Sequence, residues 1–106
     1  MNRLDSETLR AWQAQGRDFV LLDTLPAKSF AMGHLAGAIN IVSDDILQRA
    51  PELLPDKNAL IVVYCASATC KRAGLSAERL AALGYTRVHH YVGGKKDWVA
   101  RGFALT

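Results

Sequence analysis

The stretch Ala59-Leu60-Ile61-Val62-Val63-Tyr64-Cys65-Ala66-Ser67-Ala68-Thr69-Cys70-Lys71-Arg72 decides the fold. Its opening residues are apolar without alternation and rich in β-branched side chains. A strand of that composition is buried on both faces, as a central parallel strand is. A short polar loop, Ala66 to Arg72, follows it directly. A helical pattern then runs to about Leu83, with Ala73, Ala77, Leu80 and Ala81 on its apolar face and Gly84 as its stop.

Working upstream, Phe19-Val20-Leu21-Leu22 ends in Asp23 and predicts a second buried strand. Asp5 or Ser6 caps a first helix reaching about Gln15, with Leu4, Leu9 and Trp12 as its apolar stripe. Pro26 marks a turn, and a short helical stretch spans about Lys28–Met32. Ala38–Val42 predicts another short strand. Ser43-Asp44-Asp45 starts a helix that Pro51 is expected to end. Downstream, Arg87–Val92 reads as the last strand, and Gly93-Gly94 turns the chain into a short helix carrying Trp98. Strands alternating with helices predict an α/β fold. The expected architecture is one domain over 1–106, with a central, mostly parallel sheet of about four or five strands and helices on both faces.

Composition narrows the function. The chain has 106 residues, half of them hydrophobic and 22% charged, the balance of an ordinary globular domain. Its longest uninterrupted apolar run, Ala59 to Ala66, has eight residues, whereas a membrane span needs ~18, so no membrane crossing is expected. The net charge is +3, and the only adjacent basic pairs are Lys71-Arg72 and Lys95-Lys96. Aromatics do not interleave with them, which argues against nucleic acid and leaves room for a small anionic ligand. The polar N-terminal segment lacks the apolar core of a secretory signal. The two cysteines lie five apart, too close for an extracellular disulfide framework. These features predict a reducing, cytoplasmic setting.

Cys65 is the main chemical signal. It stands at the carboxyl end of the central strand, where open parallel sheets place their ligand sites. Backbone N–H groups of the loop Ala66, Ser67, Ala68, Thr69, Cys70, Lys71, Arg72 can form a concave nest for an anion at the start of the helix. The same field should lower the Cys65 thiol's pKa and favour the nucleophilic thiolate, helped by the charges of Lys71 and Arg72. Set against this is a buried, inert structural cysteine. Cys70 reads either as a resolving thiol or second sulfur site, or as a small apolar residue at the helix start. Two thiols cannot hold a metal alone, and His34, His89 and His90 belong to distant segments, so no metal and no cofactor are expected.

Several segments, in order, resemble rhodanese-like domains. Tyr64-Cys65, a polar loop and a helix ending in Leu83-Gly84-Tyr85 look like that family's active-site unit. Phe30-Ala31-Met32-Gly33-His34-Leu35-Ala36-Gly37-Ala38-Ile39-Asn40-Ile41 resembles its upstream signature, with Ala36 where Pro is usual. Val20-Leu21-Leu22-Asp23 and Val92-Gly93-Gly94-Lys95-Lys96-Asp97-Trp98 match its strand end and its closing motif. The resemblance implies that Cys65 takes a sulfane sulfur from a small anionic donor such as thiosulfate. It would hold that sulfur as a persulfide and pass it to cyanide, a thiol or a partner protein. Loop N–H groups would stabilise donor and persulfide.

The chain departs from the family pattern at several points. The family places Arg five residues after Cys, then Ser. Here that position is Cys70, and counting back from Leu80 and Gly84 aligns Arg72 instead, so the loop is two residues longer. Ala68 replaces a usual Gly, and Leu25 a frequent Arg. A longer loop also suits phosphatase or arsenate reductase relatives, whose Cys-x5-Arg loops hold a tetrahedral oxyanion. Here Lys71 takes the Arg position of that register, and a Lys cannot make the paired fork contacts of an Arg. The remaining alternative is a non-catalytic sulfur-binding or interaction module. A Cys65 pKa near the ordinary value would mark the module, and one well below it the enzyme.

Among other residues, Asp23 is expected to accept hydrogen bonds from loop backbone. His34 is expected to fix its turn by a side-chain hydrogen bond, and His89 and His90 to form a rim or packing pair. Gly93 and Gly94 are expected to keep the chain close to the site loop.

Overall fold

The structure, a computed structural model, describes residues 2–106. Five strands, β1 (Asn2–Leu4), β2 (Val20–Asp23), β3 (Ile39–Asn40), β4 (Leu60–Tyr64) and β5 (Arg87–Tyr91), form one sheet. Their order is β1-β5-β4-β2-β3, and every neighbouring pair is parallel. The helices are α1 (Ser6–Ala14), α2 (Ala27–Ala31), α3 (Ile46–Leu53), α4 (Arg72–Ala82) and α5 (Gly94–Ala100).

β4 is central, and all five of its residues are buried. Its pleat sends alternate side chains to two cores. Ile61 and Val63 join Leu22, Ile46, Ala50, Ala73, Ala77 and Leu80 beneath α3 and α4. Val62 and Tyr64 join Leu9, Leu21, Leu35, Tyr91 and Trp98 on the face covered by α1 and α5. Each such side chain contributes ~1.5–3 kcal/mol by leaving water. This two-sided burial explains why β4 reads as an unbroken apolar run.

Most boundaries fall within a residue or two of expectation. Asp5 caps α1, its Oδ1 accepting from Thr8 N at 2.8 Å. Gly84 follows α4 with φ +98°, a conformation that favours glycine. Four details differ. Asn2–Leu4 is a strand, not a prelude to the helix: it pairs with β5 from Asn2↔His89 to Leu4↔Tyr91. The strand expected over Ala38–Val42 is only Ile39–Asn40. Pro51 lies inside α3, which runs on to Leu53. So near the end of a short helix, its missing N–H removes a single bond, and Leu54 N still closes the last turn on Ala50 O at 2.7 Å. On α4, Ala81 is exposed, and the buried position falls to Ser76, whose hydroxyl donates to Arg72 O at 2.8 Å.

Connections from β2 and β4 leave in opposite directions, which opens a crevice between their carboxyl ends. Asp23 and Tyr64 pair across it. Asp23 is fully buried, and its Oδ1 accepts from Leu25 N at 2.9 Å. Its Oδ2 accepts from the Tyr64 hydroxyl at 2.8 Å, and that hydroxyl in turn accepts from Leu35 N at 3.1 Å. The Lys95 ammonium stands 3.9 Å from the carboxylate and donates to Ser29 O at 2.8 Å.

α5 straps the chain after β4. Lys95 N donates to Cys65 O at 3.0 Å and Lys96 N to Ala66 O at 2.9 Å. Gly94 makes this approach possible. It has φ +67°, and a Cβ there would sit 2.5 Å from Cys65 O and 2.8 Å from Ser67 N. Gly94→Ala should therefore combine left-handed strain with a backbone collision, and lower stability by at least about 2 kcal/mol. Urea unfolding with an unchanged slope would check this. Tyr64→Phe leaves Asp23 and Leu35 N each short of a buried partner, and should cost about 1–3 kcal/mol by the same measurement.

Candidate functional site

Cys65 follows β4 directly and is 2% exposed. The loop behind it curls over its side chain: Cys70 N donates to Ser67 O at 3.1 Å, closing a turn. The Cys65 thiol donates towards Cys70 O at 3.5 Å, with Ser67 O at 3.9 Å. Backbone N–H groups of Ala73 and Ser67 also face this sulfur. One N–H from the loop and one from the first turn of α4 thus turn towards the Cys65 sulfur.

Its electrostatic effect differs from the expectation. Burial pushes the Cys65 thiol up to about 11, and the hydrogen bond to Cys70 adds to the rise. The N–H groups of Ala73 and Ser67 pull the other way but do not offset the loss of water. The Cys70 thiol moves below its ordinary value. Partial burial alone would raise it, but it gains the Cys65 hydrogen bond, the N–H groups of Arg72 and Ala66, and the Arg72 charge. The loop thus makes Cys70 the more acidic of the two thiols. The sequence gives no sign of how deeply the first sulfur is sunk within the loop.

The other loop residues divide by role. Ser67 Oγ and Thr69 Oγ1 hydrogen-bond each other at 3.0 Å on the outer side. Ala66, Ala68 and Thr69 are exposed, as are Lys71 and Arg72 at the start of α4. A groove of about 380 Å³ opens on one side of the loop, between Ser67, Ala68 and Thr69 and the α5 residues Lys96, Asp97 and Ala100. A second, of about 310 Å³, lies on the other side, between Ala66, Lys95, Leu25, Ser29, Met32 and Leu105. Lys96 stands beside Asp97 at the first opening, and the Lys95 ammonium at the second is turned towards the Asp23 carboxylate.

Asp23 and His34 take the places foreseen. Asp23 anchors loop backbone. His34 Nδ1 is 3.0 Å from Phe30 O, and its ring stacks on Phe30 at 3.8 Å. His89 and His90 do not form the expected pair: His89 packs edge-on to Trp12 at 5.4 Å, while the pleat of β5 turns His90 to the other face, beside Gly74. The residue that sequence reasoning missed is Lys95, which holds the loop through its N–H and the crevice through its ammonium. Its place directly after Gly93-Gly94 was the available signal.

These environments predict a split in thiol reactivity. Iodoacetamide at neutral pH should alkylate Cys70 first, and Cys65 should react only as the pH rises well into the alkaline range. Mass spectrometry of the native protein quenched across a pH series reads this directly. Equal labelling of both at neutral pH would contradict the assignment.

The sequence profile of the rhodanese-like domain matches residues 5–101. The chain is 34% identical over 76 residues to the thiosulfate sulfurtransferase PspE of Escherichia coli, covering 72% of this chain and 70% of that one. It is 29% identical over 105 residues to a sulfurtransferase of Allochromatium vinosum, covering 99% and 94%. The human single-domain sulfurtransferase TSTD1 superposes with a TM-score of 0.82 at 25% identity, over 95% of this chain and 97% of that one. The parallel sheet, the cysteine loop at its carboxyl edge and these similarities agree, and the chain belongs to the rhodanese-like domain family.

Proposed function

We propose that the protein is a sulfurtransferase in which Cys65 carries the sulfur. The observation that supports it most is the position of Cys65: a thiol at the end of the central strand, inside a loop whose N–H groups converge on sulfur. In the loading step the Cys65 thiolate attacks the outer sulfur of a donor such as thiosulfate. A Cys65 Sγ–S bond forms, the donor's S–S bond breaks, and its electron pair leaves on sulfite. The persulfide is then attacked at its outer sulfur by cyanide or a thiol, and the electron pair returns to Cys65 Sγ. Ser67 N and Ala73 N stabilise the sulfur anion at both stages. Ala66, Ser67, Ala68, Thr69, Cys70, Lys71 and Arg72 form the donor-binding loop in this reading. A reducing cytoplasm, which keeps both thiols available, is the setting that suits it.

The protonated state of buried Cys65 favours a second reading, a module that binds partners without catalysis. One substitution separates the two. Cys65→Ser should abolish thiosulfate-dependent thiocyanate formation, a loss of at least about 10³-fold, while the thermal melt stays close to that of the parent. A parent protein without turnover, or a variant that retains it, would reject the enzyme reading.

A further inference from the structure

The loop carries a second thiol with no role in the reaction above. Cys65 is closed in at 2% exposure, whereas Cys70 is only partly buried. The Cys65 thiol donates towards Cys70 O at 3.5 Å, and each thiol shifts the acidity of the other. The nest is also double: Ser67 N and Ala73 N face the Cys65 sulfur, while Ala66 N and Arg72 N face that of Cys70. At 2% exposure Cys65 is out of reach of a thiol carried on a peptide or protein, so the sulfur needs a route out.

We propose that Cys70 is a second sulfur-carrying catalytic residue, which takes the sulfane sulfur from Cys65 and presents it to bulky thiol acceptors. This rests on Cys65 being the first carrier. In the step, the Cys70 thiolate attacks the outer sulfur of the protonated Cys65 persulfide. A bond forms between Cys70 Sγ and that sulfur, the Cys65 Sγ–S bond breaks, and its electron pair stays on Cys65 Sγ. The persulfide proton then passes to Cys65 Sγ. The products are a Cys65 thiol and a Cys70 persulfide anion. Nothing is oxidised or reduced, and no further reactant is needed. The order of acidities fits this direction of transfer, Cys70 being the more acidic thiol.

The test follows the sulfur through time. Reduced protein is mixed with thiosulfate or, in a parallel arm, with tetrasulfide, and is quenched with iodoacetamide. Trypsin leaves both thiols on one peptide, Asn58–Lys71, so fragment ions broken between Ala66 and Thr69 tell them apart. The extra sulfur should appear first on Cys65 and later on Cys70, and Cys65→Ser should leave Cys70 bare at the same times. Cys70→Ser should hold its sulfur on Cys65 and release it to glutathione about tenfold more slowly than the parent. Sulfur confined to Cys65 in the parent overturns the relay and leaves Cys65 as the carrier. Loading of Cys70 in Cys65→Ser at the parental rate overturns it too, as does a Cys65–Cys70 disulfide formed with release of sulfide. If thiosulfate leaves both thiols bare while tetrasulfide gives the Cys65-then-Cys70 order, the relay stands and the thiosulfate reading falls. The time course on the parent protein decides the order even if a variant folds poorly.

Discussion

A fully buried carboxylate holds the carboxyl edge of the sheet together. Asp23 accepts from Leu25 N and from the Tyr64 hydroxyl, and faces the Lys95 ammonium. These contacts join the end of β2, the end of β4 and the start of α5 at one point. A buried charge is costly unless it is hydrogen-bonded and paired, and here it is both. Tyr64 immediately precedes Cys65, so the network that satisfies the charge also fixes where the chain leaves the sheet. Thr24 reinforces it, its hydroxyl donating to Tyr64 O at 2.9 Å and its N–H at 3.1 Å.

From that fixed exit the loop has little freedom. It is closed inwards by Cys70 N on Ser67 O and outwards by the main chain of α5. The additional length inferred from the sequence brings Cys70 next to the Cys65 sulfur. Two sulfur atoms then lie in one loop, each with its own N–H groups, and their different depths set their acidities apart. A helix start and a nearby cation make a solvated thiol acidic. Here the Arg72 charge lowers Cys70, while Cys65 has lost its water and rises.

Where local chemistry and tertiary position agree, the sequence was legible. β4 could be read because two-sided burial demands an unbroken apolar run. Asp23 and the Gly93-Gly94 turn could be read because a strand-end carboxylate and paired glycines have few other uses. β1 could not: three residues with one buried side chain carry no periodicity, and they become a strand only because β5 offers an open edge. Pro51 misled because its helix penalty depends on how many turns remain after it. Lys95 was hidden because a lysine in a basic pair reads as a solvated charge, and only the fold turns its ammonium inward. The place of the cysteine loop at the carboxyl edge of the sheet was thus legible and its proton distribution was not, since acidity here depends on burial depth and not on residue order.

The strap from α5 to the loop consists of main-chain bonds, Lys95 N to Cys65 O and Lys96 N to Ala66 O. Main-chain bonds are indifferent to the identity of the side chains beside them. Drift at Ala66, Ala68 or Thr69, which point outward, therefore leaves the anchorage intact. The scaffold separates what holds the loop in place, a glycine and a backbone path, from outward side chains that can change without disturbing it.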